Sequence, residues 1–311
     1  MKTLSTHLQQ YLQLRRRLGF KLDHAASSLG QFVRFARQHK ASFITTQLAL
    51  RWATQPAGCQ PCWWADRLGM VRRFARYLTA IDARTEVPAP GLLPHHYRRK
   101  SPYLYADHEV RDLIAAAQKL PSPQELRGPT YATLFGLLAA TGLRVGEALG
   151  LDRADVDLTQ ALLTVRRTKG NKPRLVPLHP STNQALRRYE RLRDRLCPRP
   201  HSPRFFISER GGALKYGSVR QWFIKVSRQI GLRQPSDRHG PRLHDLRHRF
   251  SIRTLVQWYR SDQDVDAHLP ELATYLGHCH VNDTYWYVSA TPELLQLATR
   301  RWQRQEGGYR S

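Results

Sequence analysis

Leu, Phe, Val and Trp recur at helical spacing over residues about 3–18, 23–39, 45–54 and 63–82, which predicts four amphipathic helices with basic outer faces. Asp23 and the turn-forming Thr54-Gln-Pro-Ala-Gly58 punctuate them. Tyr11, Phe20, Phe32, Phe35, Trp52, Phe74 and Tyr77 fall on the apolar stripes, so these rings are expected in a core rather than against a ligand. Further on, 107–120 reads as a helix with an acidic start, and 129–140 as a strongly apolar helix ending at Thr141-Gly142. The period then changes. Residues 161–168 and 174–178 read as strands around Lys169-Gly-Asn-Lys172, a hairpin with Gly-Asn at its tip, and a short strand is expected at 205–207. Helices resume near Ser181 and run to about residue 303, with the acidic stretch 255–269 expected as a surface loop, a contact to a neighbouring subunit being the alternative, and an amphipathic helix with exposed leucines from Pro292 to Ala298. The predicted fold is mainly α with a small antiparallel β-sheet.

Between the helical first part and the rest lies a helix-breaking basic stretch, with Pro88, Pro90, Pro94 and Pro102 around His95-His-Tyr-Arg98-Arg99-Lys100. It divides the chain into a helical domain at 1–84, a linker at 85–103 and a larger domain at 104–311. A chain of 311 residues is long enough for two cores.

Composition changes the picture through charge. Hydrophobic residues at 41% and charged ones at 24% are ordinary for a globular protein, but 50 Lys+Arg against 24 Asp+Glu gives a formal charge of +26. Residues 1–100 hold 17 basic and 4 acidic side chains, so the excess is concentrated there. Such a field favours a polyanion, with nucleic acid first among partners. Arg15, Arg16, Arg17, Arg72, Arg73 and Arg76 in the helices, and Arg98, Arg99 and Lys100 in the linker, are the candidate phosphate contacts, joined by Lys172 of the hairpin. No apolar run approaches the ~20 residues of a spanning helix and no signal-peptide pattern opens the chain, so a cytoplasmic location is expected. Cys59-Gln-Pro-Cys62 has the spacing of half a zinc site, but Cys197 and Cys279 stand apart and no second pair completes it; no metal is expected.

Three separated stretches carry chemistry: Thr141-Gly-Leu-Arg-Val-Gly-Glu147, His244-Asp-Leu-Arg-His248, and Leu276-Gly-His278 followed by Tyr287. Two arginines can hold a phosphate, histidines can move protons, and a phenol can carry a phosphoryl group covalently. Arg144 stands where a new helix would offer N–H groups to an anion, and Glu147, one turn on, is placed to brace its guanidinium. His244 and Arg247 share one helix face; His248, rotated about 100° from Arg247, is expected to be structural. Chemistry alone leaves Tyr285 and Tyr287 both open as nucleophile.

The order Arg144, Lys169, His244-x-x-Arg247, Leu276-Gly-His278 and Tyr287 resembles the tyrosine recombinase (phage integrase) family, specifically over 141–300 and in architecture over the whole chain. The resemblance implies a helical core-binding domain before a catalytic domain. It implies Tyr287 as nucleophile, chosen over Tyr285 by its spacing from His278, with Arg144 and Arg247 on the phosphate. Lys169 would protonate the leaving 5′-oxygen, and His244 and His278 would complete proton handling and orientation. The His usual shortly after the nucleophile is replaced by Val288-Ser289. Implied partners are double-stranded DNA with inverted core sites, further copies of the chain forming a tetramer on DNA through a C-terminal docking tail, and an accessory recombinase. No cofactor is implied, and the expected location is the nucleoid. The implied activity is site-specific strand exchange through a 3′-phosphotyrosyl intermediate and a Holliday junction. A type IB topoisomerase-like relaxing enzyme and a catalytically silent DNA-binding protein are the alternatives.

Overall fold

The computed structural model describes residues 3–95, 102–166, 173–237, 240–261, 263–278, 280, 282–288 and 291–307. The chain forms two compact units, Met1–Lys100 and Ser101–Ser311.

The first unit holds α1 (Leu4–Arg17), α2 (Asp23–Gln38), α3 (Thr46–Thr54) and α4 (Pro61–Leu78), close to the periodicity in each case. The starts follow local chemistry: Thr3 and Thr45 accept backbone N–H groups of the first turns of α1 and α3, and Pro61 opens α4, where its missing N–H costs nothing. Leu29, Phe32, Trp52, Val71 and Phe74 fill the core, with Phe32 edge-on to Trp52 at 5.3 Å between ring centres. Phe20 differs from expectation. It follows Gly19 at positive φ beyond the end of α1, is exposed, and lies under the Arg15 guanidinium at 3.9 Å. The boundary also shifts. Residues 85–89 pack on this unit: Thr85 and Pro88 are buried, the Glu86 carboxylate accepts the Thr46 N–H at 2.7 Å, and Arg72 donates to the carbonyls of Pro88 (2.6 Å) and Ala89 (2.7 Å).

In the second unit, α5 (Asp107–Gln118) and α6 (Arg127–Thr141) pack side by side and lead through Gly142 into the short α7 (Val145–Leu149). A three-stranded antiparallel sheet follows in the order β1 (Val156–Asp157), β2 (Leu162–Val165), β3 (Arg174–Pro177), with Val165 opposite Arg174. The hairpin tip with Lys169 and Lys172 lies outside the described residues. Helices α8 (Pro180–Leu196) and α9 (Tyr216–Gln229) close the main core, in which Phe135 meets Phe223 edge-on at 5.7 Å. Around 205–207 there are isolated bridges, Asp152 to Arg204 and Ile207 to Ala213, in place of the expected strand.

The remaining helices are α10 (Leu243–Arg260), α11 (Val265–Leu276), α12 (Asn282–Tyr285) and α13 (Pro292–Gly307). Segment 255–269, expected as a surface loop, is instead mostly helix: Leu255, Val265 and Leu269 are buried in a small second core with Tyr287 and Leu294, and only a few residues around Ser261 break the two helices. Burial of these three apolar residues outweighed the local run of acidic ones. On α13, Leu294 is fully buried and Leu295 is exposed. None of the described helices is long and apolar enough to cross a membrane.

Candidate active site

The site forms where the C-terminal ends of α6 and α11 meet the start of α10. Helix ends leave carbonyls without intrahelical partners, and cations are favoured beside them. Here three consecutive carbonyls at the end of α11 each take a different arginine: Tyr275 O accepts from Arg174 Nε (2.7 Å), Leu276 O from Arg247 Nη2 (2.9 Å) and Gly277 O from Arg144 Nη2 (3.0 Å). Arg247 Nη1 also donates to Gly142 O at the end of α6, at 2.8 Å. Gly277 makes this fan of carbonyls possible. Its φ of +68° suits glycine, and a Cβ there would lie 2.6 Å from Arg174 Nη1.

Glu147 is the counter-charge. It is buried, and its carboxylate accepts from Arg144 N (3.0 Å) and Nη1 (2.8 Å) and from Arg174 Nη1 (3.1 Å) and Nη2 (2.8 Å). Burial alone would raise its pKa, but the bonds from Arg174 and Arg144 outweigh that and hold it below the usual carboxylate value. Two guanidinium groups, those of Arg144 and Arg174, thus share one carboxylate while Arg247 is held by the carbonyls of Gly142 and Leu276, a local excess of positive charge suited to an anion. Arg247 is almost fully buried, and its pKa falls to about 10 through burial and then repulsion from Arg144, so it stays charged near neutrality.

The histidines and the phenol complete the pocket. Tyr287 is buried and sits near enough to Arg247 to favour its charged form. His278 Nδ1 pairs with the hydroxyl of fully buried Thr284 at 2.7 Å, and its ring lies nearly parallel to that of Tyr287, 6.2 Å between centres. His248 Nδ1 is 3.0 Å from the Tyr287 hydroxyl. His244 meets His248 edge-on at 4.7 Å and has an exposed outer edge. All three histidines have their pKa pushed down to about 4: burial leads in each case, followed by Arg247 for His244 and His278 and by His244 for His248. Water at the outer edge of His244 offsets part of its desolvation. These imidazoles are therefore neutral at pH 7.

The structure therefore gathers Arg144, Glu147, His244, Arg247, His278 and Tyr287 into one site, whereas Lys169 lies outside the described residues. Tyr285 is exposed. Two residues escaped the sequence reading. In the sequence Arg174 shows itself only as the start of a strand, and a charged residue in a half-buried strand is the signal that marks it. Rotation along α10 turns His248 away from Arg247, but Tyr287 approaches from a separate segment and meets that other face. Among the basic candidates of the first unit, Arg16, Arg17, Arg73 and Arg76 are exposed, Arg15 is half-buried against Phe20, and Arg72 is held by two carbonyls. Arg98, Arg99, Lys100 and Lys172 lie outside the described residues.

The chain is similar to known proteins over most of its length. The pattern of the phage integrase family matches residues 104–293. The chain is 48% identical over 308 residues to a Sinorhizobium fredii protein named putative integrase/recombinase y4rB, covering 98% of each sequence. It is 30% identical over 241 residues to the tyrosine recombinase XerD of Caulobacter vibrioides, covering 76% of this chain and 74% of that protein. Among solved structures, a lambda integrase tetramer bound to a Holliday junction shares the fold, with a TM-score of 0.61 and 17% identity over 90% of this chain and 78% of the other. With the family pattern spanning more than half of its length and a near full-length relative at 48% identity, the chain belongs to the phage integrase family.

Proposed function

We propose that this protein is a site-specific DNA recombinase that cuts and rejoins DNA through a covalent tyrosyl intermediate. The observation that carries the reading is the placement of the Tyr287 phenol in a pocket with Arg247 and with Arg144 and Arg174, the last two sharing the single carboxylate of Glu147. Arg144 and Arg247 hold the scissile phosphate and stabilise the charge that builds on it in the transition state. Tyr287 attacks phosphorus and keeps the 3′-phosphate as an ester, which stores the energy of the broken bond for religation by a second 5′-hydroxyl. Glu147 and Arg174 brace the clamp. His244 and His278 orient the phosphate and the phenol, and Lys169 protonates the leaving 5′-oxygen.

The first unit is the helical core-binding domain and the second the catalytic domain, and the exposed Arg16, Arg17, Arg73 and Arg76 contact phosphates. The partner is duplex DNA with inverted core sites. Two duplexes are synapsed by four copies of the chain, α13 serves as the docking tail, and strand exchange passes through a Holliday junction with a second, accessory recombinase where one is required. The location is the cytoplasm, at the nucleoid.

A pool of randomised duplexes, each nicked so that the fragment beyond the cut diffuses away, tests the reading. The wild-type protein should capture a restricted set of sequences covalently and, given intact duplexes carrying two such sites, should exchange strands between them. Capture of no DNA by the wild-type protein would refute it.

A further inference from the structure

Resting on that reading, we infer that His248 is the proton acceptor for the nucleophile: its Nδ1 takes the Tyr287 proton as the phenolic oxygen attacks phosphorus. The contact is direct, with His248 Nδ1 and the Tyr287 hydroxyl 3.0 Å apart, within the reach a general base needs. The ring is held in place, edge-on to His244 at 4.7 Å and packed against Trp286 at 5.6 Å and Tyr287 at 5.5 Å between centres. A phenol is a better donor than acceptor, so the pairing favours a bare Nδ1, with the imidazole proton on Nε2.

The groups facing His248 are His244, Asp245, Arg242 and Arg247 from its own helix and Tyr287 from the segment after α12. Burial and then His244 hold it neutral, so it is competent to accept rather than already charged. A phosphate bound between Arg144 and Arg247 cancels part of the field that opposes its protonation. In the forward step the Tyr287 O–P bond forms, the P–O5′ bond breaks, the phenolic proton moves to His248 Nδ1, and the 5′-oxygen takes a proton from the acid on the leaving side. In religation the 5′-hydroxyl attacks phosphorus and gives its proton back to the group on the leaving side, the P–O bond to Tyr287 breaks, and His248 returns the proton to the departing phenolic oxygen. Of the other histidines, His278 has its Nδ1 engaged by Thr284, and His244 lies edge-on to the His248 ring, 4.7 Å between centres.

The test is single-turnover cleavage of a nicked duplex captured by the wild-type protein, with His248→Asn and His248→Ala as variants. Asn places an oxygen near the Nδ1 position and preserves the hydrogen bond, but it cannot carry the proton. The expected result is folding and DNA affinity like wild type, with cleavage slowed by roughly 10²–10⁴-fold, a typical general-base contribution. The His248→Asn rate should climb about tenfold per pH unit towards the phenol pKa, while the wild-type rate stays flat across pH 7–9, and added imidazole should partly restore His248→Ala. A 5′-bridging phosphorothiolate substrate, whose leaving thiolate needs no acid, should leave His248→Asn slow. His248→Asn cleaving within about threefold of wild type, sharing its pH profile, or recovering on the thiolate substrate would each overturn the assignment. Should His248→Asn misfold, imidazole rescue of His248→Ala decides alone, and no rescue counts against the proposal. If the wild-type protein captures no DNA at all, the recombinase reading fails first and takes this assignment with it.

Discussion

Glu147→Gln would remove the one negative charge among three arginines while keeping the side chain's shape. The carboxylate accepts four hydrogen bonds from Arg144 and Arg174, and amide substitution turns one accepting oxygen into a donor aimed at a donor. Breaking a buried ion pair by removing one partner costs about 3–5 kcal/mol, because the remaining charges stay buried without compensation. Two guanidinium groups lose their counter-ion at once, so the upper half of that range is expected. For a unit of this size each kcal/mol moves the melting point by about 2–4 °C, which gives a fall on the order of 10–20 °C in the transition of the second unit. Calorimetry on the full chain reads that transition. Replacing both partners with apolar residues, as in Glu147→Leu with Arg174→Met, should recover part of the loss, since a matched apolar pair has no stranded charge between Glu147 and Arg174. A melting point within about 2 °C of wild type for Glu147→Gln, or a double variant as unstable as two independent losses added together, would refute the claim that one carboxylate organises the arginines.

Three further outcomes follow from the same geometry. Gly277→Ala places a side chain at a φ of +68° and 2.6 Å from Arg174 Nη1, so it should lose about 1–2 kcal/mol of stability and a larger share of cleavage, read by melting and by covalent capture. In the free protein, His244, His248 and His278 bind protons only near pH 4, whereas the unfolded chain binds them near 6.5. The unfolded state therefore holds more protons between those values, so this stability is fully present above about pH 6.5 and is lost as pH falls towards about 4, at up to ~1.4 kcal/mol per pH unit for His248 and His278 and at a smaller, solvent-screened rate for the exposed His244. Urea titrations across that range should show the slope, and a bound oligonucleotide should flatten it. In the first unit, Arg67 lies 3.7 Å over Trp52 and 4.8 Å from the centre of Trp63 and donates to Trp52 O at 2.9 Å; Arg67→Met should cost about 2 kcal/mol by denaturant melting without touching the chemistry of an already captured DNA.

Much of this architecture was legible because it rests on local rules. The helices at 107–118 and 127–141 announce themselves by periodicity, and Gly142 and Gly277 mark the helix ends from which the site is built. Arg144, Glu147, Arg247, His278 and Tyr287 were readable as a set because their types and order suit one chemistry. What escaped depends on pairing across the fold. Arg174 acquires its role only when β3 brings it to Glu147, 27 residues earlier, and to Tyr275, 101 residues later. His248 faces away from Arg247 on a helical wheel, yet the chain returns after α12 to bring a phenol to that face. Phe20 looked like core because aromatic residues usually are, but it follows a glycine turn past the helix end and is covered by Arg15 instead of by another helix. The acidic stretch after Leu255 looked like a loop because its charges are local, whereas the burial of Val265 and Leu269 is set by neighbours far along the chain.

The measurement closest to the central claim is peptide mapping of the protein–DNA adduct by tandem mass spectrometry, after nuclease trimming of a captured nicked duplex. The account predicts a nucleotide joined through its 3′-phosphate to Tyr287, with a free 5′-hydroxyl on the released strand and no adduct from Tyr287→Phe. A nucleotide on Tyr285 or on any other side chain, or attachment through a 5′-phosphate, would contradict it.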